Sequence, residues 1–410
     1  MPTTSGYGVP CCISRQAVIE VAAWLFWASV ALLVYTYLGY PGLVGIWARL
    51  APRPVASSRD YLPRVAIIVV ARNEVQRIQA KIDTCLGQDY PPERLRLLIA
   101  SDGSTDGTEQ IVHACADPRV RLLAFPVPRG KASCLNDAIA LCDEDVLVLT
   151  DVRQRLNPEA LRYLVCNLAD SQVGAVSGEL VFVSDDPTPF ASGVGAYWRY
   201  EKFIRRSQAA IHSSPGVTGA LYALRKSCFR PIAPGTILDD VAIPMQAAMQ
   251  GKRIVFESRA IAYDAPSTQA GQERRRKVRT LAGNFQLLKL YPQLLLPWRN
   301  PIIVQFVSHK VLRLLAPWAM IVALACSALL AAHSTFYAAL LGAQLGFYAL
   351  PLLGELIPSL RNRTPVKLAT TFIALNAYAI LGLLEFLTNR DAHLWRAGPA
   401  AAPEQPGTRT

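Results

Sequence analysis

The chain has 410 residues, is 52% apolar and carries a formal net charge of +12, with a mean hydropathy of +0.24. That length exceeds one compact domain, and the apolar excess excludes a chain that is soluble throughout. The charge does not indicate nucleic acid, because no aromatic-plus-basic RNA-binding signature is present. Arg and Lys instead crowd the flanks of apolar runs, as they do beside an anionic membrane leaflet. Nine cysteines, none in CxxC or zinc spacing, predict reduced thiols in a cytosolic compartment.

In chain order, residues 1–16 form a tail. Residues 17–48, AVIEVAAWLFWASVALLVYTYLGYPGLVGIWA, are long enough to cross a bilayer. No small-residue cleavage site follows them, so a cleaved signal peptide is disfavoured. The linker 49–63 brings Arg49, Arg53 and Arg59, with Arg64 just beyond. Basic residues prefer the cytoplasm, so the N-terminus is expected outside and the globular part, 64–290, inside.

That part alternates strand-like and helix-like stretches. RVAIIVVA (64–71) is a continuous β-branched run, as in a strand covered on both faces. A helical stretch leads to LRLLIAS (95–101), a second helix to VRLLAFP (120–126), and KASCLNDAIALCD to DVLVLTD (145–151). This alternation predicts an α/β fold with a mostly parallel sheet, whose ligands bind at the carboxyl ends of the strands. Those ends read Arg72-Asn73-Glu74, Asp102-Gly103 and Thr150-Asp151. A lone Asp is as often a helix N-cap as a ligand, but three acidic ends in half a sheet favour a site.

After the domain, 291–308 is broken by prolines and carries Trp298 and Arg299, so it is either a helix lying flat at the membrane interface or a plain linker. Three more apolar runs, 309–331, 336–358 and 366–388, fill the stretch 309–388. The loop AAHST lacks Lys and Arg, whereas SLRNRTPVK contains Arg361, Arg363 and Lys367. That asymmetry agrees with a cytoplasmic globular domain in an inner, plasma-type membrane. The tail 389–410 is Pro/Ala/Gly-rich and predicted disordered.

Physical roles follow from residue type. Carboxylates at Glu74 and Asp102 can accept hydrogen bonds from a base or ribose. Lys131, after Gly130 at a helix start, suits a diphosphate. Adjacent Asp239 and Asp240 repel each other, which raises the pair's pKa and lets one act as a base; the same pair also reads as a helix N-cap.

The motifs VVARNE, ASDGSTDGT, PRGKASCLNDAI and LTD, followed by SPGVTGALYALR (214–225), TILDDVAIP (236–244) and QERRR (272–276), resemble family 2 glycosyltransferases in content and order. The likeness spans roughly 64–290 and is greatest to the membrane-bound synthases of cellulose, hyaluronan and poly-N-acetylglucosamine. It implies a GT-A fold and an inverting transfer from a UDP-sugar to a growing glycan at the cytoplasmic face. By the same resemblance Glu74, Asp102 and Lys131 bind the nucleotide, Asp151 binds Mg²⁺ or Mn²⁺, and Asp240 is the base. Gly219, Asp239, Gln272, Arg275 and Arg276 contact donor, acceptor or a gating segment.

Two departures stand out. The family's DxD reads Asp151-Val152-Arg153, and the Trp of QxxRW is Arg276. On an extended strand Arg153 has the same parity as Asp151, so it is expected to pair with Asp151 or face the diphosphate, with metal held by fewer protein ligands. The basic run through Arg279 is alternatively a face on anionic lipid. Alternatives to polymer synthesis are transfer of one sugar to a lipid or short glycan, and an inactive sugar-nucleotide-binding scaffold of a secretion complex. Expected partners are the donor, a glycan or lipid-linked acceptor, membrane lipids and an assembly or secretion protein.

Overall fold

The computed structural model describes residues 15–183, 189–265 and 270–389. The chain forms two compact units: Met1–Gly42 with Val311–Ala377, and Leu43–Lys310 with Tyr378–Thr410. The two tails expected at the termini lie largely outside the described residues.

The second unit is built on one eight-stranded sheet. Its strands are β1 (Val65–Ala71), β2 (Leu95–Asp102), β3 (Val120–Phe125), β4 (Val146–Thr150), β5 (Arg155–Leu156), β6 (Val173–Phe182), β7 (Leu221–Arg225) and β8 (Arg253–Asp264), in the order 3-2-1-4-7-6-8-5. β3, β2, β1 and β4 run parallel, as do β6 and β8; β7 is antiparallel to both its neighbours and β5 to β8. The α/β reading is correct, and the antiparallel β7 makes the sheet mixed. Every residue of β1 and β4 is buried, which explains their unbroken apolar sequence.

Each fully buried Ile or Val of β1 contributes about 1.5–3 kcal/mol. A loop hydrogen bond contributes about 1 kcal/mol net, so the sheet is the rigid part and carries the loops. β1 lies between β2 and β4. The connections therefore reverse direction across β1, the kind of switch point at which α/β sheets open a crevice.

Among the described residues four helices are long and apolar enough to cross a membrane: Arg15–Leu50, Ile303–Ala331, Thr335–Leu356 and Thr364–Thr388. Trp24, Leu38, Leu43 and Trp47 on the first, and Leu352 and Leu356 on the third, are exposed, as lipid-facing residues are. In the first unit Arg15–Val34 packs on Leu312–Ala331 through Ala22, Phe26, Ala323, Cys326 and Leu330. The 291–308 stretch is not one flat helix. A short turn, Pro292–Leu295, is followed by the start of the long helix at Ile303, because the prolines end at Pro301. Among the described residues seven cysteines are free thiols.

Candidate active site

Two loops at the ends of β1 and β2 lock each other. Asn73, with φ 54°, accepts a hydrogen bond from the Thr105 N–H at 2.8 Å. Asp106 accepts from the Val75 N–H at 3.1 Å and from both the N–H and hydroxyl of Thr108. Burial would raise the Asp106 pKa, but these donors outweigh it and hold the carboxyl below its ordinary value. Gly103, at φ 63°, is required here: a Cβ would stand 2.8 Å from the Pro128 nitrogen. The ASDGSTDGT motif is thus largely loop architecture.

Asp102 is fully buried. Its carboxylate accepts from the Arg129 N–H at 2.5 Å and the Gly130 N–H at 3.0 Å, and Cys134 Sγ lies 3.3 Å away. It therefore pins the start of the Lys131–Ala140 helix. Glu74 bonds Arg77 at 2.9 Å through its side chain, and its N–H donates to Thr108.

That pinned helix start aims Lys131. Its Nζ stands 2.9 Å from Asp151 Oδ1 and 3.1 Å from Asp239 Oδ2. Burial alone would lower the Lys131 pKa; Asp151 and Asp239 outweigh it, so the ammonium stays charged. Burial likewise opposes ionisation of Asp151, but Lys131, Arg153 and Lys81 hold its carboxyl below the ordinary range. Asp239 is buried, and the Lys131 ammonium is the charged partner of its Oδ2.

Asp240 adjoins this cluster at the head of the Asp239–Met249 helix. Its pKa is pushed up to about 6 by burial first and by Asp239 second, while Lys310, Lys131 and Arg205 pull it down. A helix N-terminus also favours the charged form, but by less than the combined burial and like charge. Gly219 lies directly against it: a Cβ there would be 3.5 Å from Asp240 Oδ2. Val217 N–H donates to the Asp240 carbonyl at 3.0 Å, so the 214–225 segment and the Asp239-Asp240 segment form one wall.

The Ala270–Leu290 helix packs on the lead-in to the acid pair. Gln286 accepts from the Ile237 N–H and donates to the Gly235 carbonyl, and Gly283 abuts Ile237 and Leu238. On a 3.6-residue period Gln272, Arg275, Arg276, Arg279, Gly283 and Gln286 share a face. Gln272, Arg275 and Arg276 are exposed. Arg279 is the member whose charge meets Asp239 and Asp151, which oppose the downward pull of its burial. Lys277 leaves this face, lying 5.1 Å and 5.5 Å from the ring centres of Tyr197 and Trp198.

Arg153 corrects the parity expectation. β4 ends at Thr150 and residues 152–153 form a turn, so alternation along a strand no longer applies. Arg153 pairs with Asp264 at 3.6 Å, which also accepts from Gln154 Nε2 at 2.7 Å. Lys81, by contrast, was not anticipated. It is buried behind Asp151, donating to Thr150 Oγ1 at 2.7 Å and the Gln154 carbonyl at 2.9 Å. The signal was present: Ile78, Lys81, Ile82 and Cys85 occupy one buried helical stripe.

Among the described residues no three His, Cys, Asp or Glu side chains group as a metal site. Asp151 and Asp239 nonetheless converge on one cation, and an ionised carboxylate has about four lone-pair sites, more than the ammonium takes. This donor set fits Mg²⁺ or Mn²⁺, which keep waters and take phosphate oxygens as further ligands.

Residues 66–232 match the family model "Glycosyl transferase family 2". A poly-β-1,6-N-acetyl-D-glucosamine synthase of Staphylococcus epidermidis is 21% identical over 246 residues, 57% of this chain and 58% of that protein. The synthase of Staphylococcus aureus strain COL is 23% identical over 241 residues, 56% of each protein. The chain thus spans little more than half the length of these relatives. A solved structure, a mannosyltransferase from Pyrobaculum calidifontis in complex with GDP-Man and Mn²⁺, matches with a TM-score of 0.67 at 26% identity, covering 89% of this chain and 99% of that one.

The sheet with its acids at the strand ends is thus a GT-A fold, and the chain carries a family 2 glycosyltransferase domain. Within that family it resembles the poly-N-acetylglucosamine synthases.

Proposed function

We propose that the protein is an inverting glycosyltransferase that moves a sugar from a UDP-sugar to a growing glycan at the inner face of a membrane. The observation that supports this best is Asp240. It adjoins a cation-bridged acid pair at the head of one helix, and its pKa, pushed up to about 6, suits a base at a point where acceptor deprotonation and diphosphate departure can occur together. The acceptor hydroxyl forms a bond to the anomeric carbon as the bond from that carbon to the diphosphate oxygen breaks. Asp240 takes the hydroxyl proton, and the nucleoside diphosphate leaves with its new charge facing Lys131 and Arg279. Asp151 and Asp239 would hold a divalent ion, which supplies a Lewis acid for the leaving group. Asp102 and Glu74 place the loops that take the nucleoside.

A second reading, transfer of one sugar to a lipid or short glycan, draws on coverage. The chain matches 99% of the mannosyltransferase but 58% of the first synthase. Membrane vesicles containing the full chain, given labelled UDP-N-acetylglucosamine, other UDP-sugars and GDP-mannose, separate these readings by donor and product size. A ladder from a UDP-sugar supports synthesis, and one added residue supports single transfer. Absence of sugar transfer from every donor would overturn both.

A further inference from the structure

We propose that Lys131 is an internal competitor for the divalent ion. Its ammonium closes the Asp151–Asp239 pair, and the diphosphate of an arriving donor opens the pair by drawing that ammonium away. This rests on the nucleotide-sugar reading above and adds an order of events to it.

The point on which both carboxylates converge is filled by the protein's own cation, 2.9 Å from Asp151 Oδ1 and 3.1 Å from Asp239 Oδ2. Both contacts are charged ones: Lys131 donates a hydrogen bond to Asp151 and lies in ion-pair contact with the buried Asp239 Oδ2. An ionised carboxylate has about four lone-pair sites, so each acid keeps acceptor capacity for a harder ligand. An ammonium and a divalent cation repel, so each weakens the other's hold on the same carboxylates. Lys131 also has somewhere to go. It is the first residue of its helix, after Gly130 at φ 85°, and a helix N-terminus attracts phosphate oxygens. A flexible four-carbon stem lets the ammonium exchange one anionic partner for another.

The test is Mn²⁺ binding to the detergent-solubilised full chain without donor, read by electron paramagnetic resonance. Lys131→Met should bind Mn²⁺ about tenfold tighter than wild type, or more, because one repelling charge is removed. Adding Asp151→Asn to that variant should abolish the gain. Equal or weaker binding by Lys131→Met overturns the proposal. A second measurement needs no variant: amine-reactive labelling of Lys131 in the wild-type chain, read by peptide mass spectrometry, should rise as Mn²⁺ saturates. Unchanged labelling at saturation also overturns it. Neither readout requires turnover. Failure here with active wild type leaves the transferase reading standing, and failure of the donor panel alone strikes the transferase reading.

Discussion

Asp102 and Asp151 both sit where a buried parallel strand ends, yet they are held in opposite ways. Asp102 is fixed by backbone N–H groups of Arg129 and Gly130. Asp151 is held by the Lys131 side chain. A carboxylate bonded to backbone cannot release its partners without unmaking a loop, so its work is to build. A carboxylate held by an ammonium can change partners without moving the fold, so its work can be chemical. The two regions are joined at one peptide: Asp102 holds Gly130, and the next residue, Lys131, reaches Asp151 and Asp239.

Substitutions test that contrast. The largest effect is expected at the chemical end. Asp240→Asn should lower turnover by about 10²–10⁴-fold, the usual worth of a positioned base, with nucleotide binding retained; kinetics alongside equilibrium dialysis of the nucleoside diphosphate check this. At the architectural end, Asp102→Ala should cost about 1.5–3 kcal/mol of stability for hydrogen bonds to a charged acceptor, seen as a lower Tm together with lost nucleotide binding.

A smaller effect is expected at Asp106→Ala, which should cost about 1 kcal/mol at neutral pH. Its folded pKa lies below the ordinary 3.8. The stability it adds is therefore present above that value and is lost as pH falls through the folded pKa. Thermal denaturation of wild type and variant, compared at neutral pH and in acid, should show the gap closing in acid.

Much of this was legible in the sequence. β1 and β4 announced themselves because strands buried on both faces are nearly all apolar, and β2 departs from that only at the exposed Arg96 and its polar end. The Asp239-Asp240 pair was legible because adjacent like charges always couple. What could not be read were partners distant along the chain. Arg153 meets Asp264, and no periodicity links them once β4 ends in a turn. Arg279 looked like one cation among several; only the packing of Gly283 and Gln286 on residues 235–238 shows which way that helix is turned. Lys81 was readable from its stripe, but a lysine among apolar residues acquires meaning only when the acid above it is known.

The central claim is that the Asp239–Asp240 pair, poised by burial and mutual repulsion, supplies the base. The most direct measurement is the acid limb of kcat/KM against pH, in wild type and in Asp239→Asn at saturating metal. Asp240 is protonated below its pKa and able to accept a proton above it, so activity should rise with pH through about 6 in wild type. Removing the neighbouring charge should move that limb to lower pH. A limb that stays in place in the variant would contradict the account.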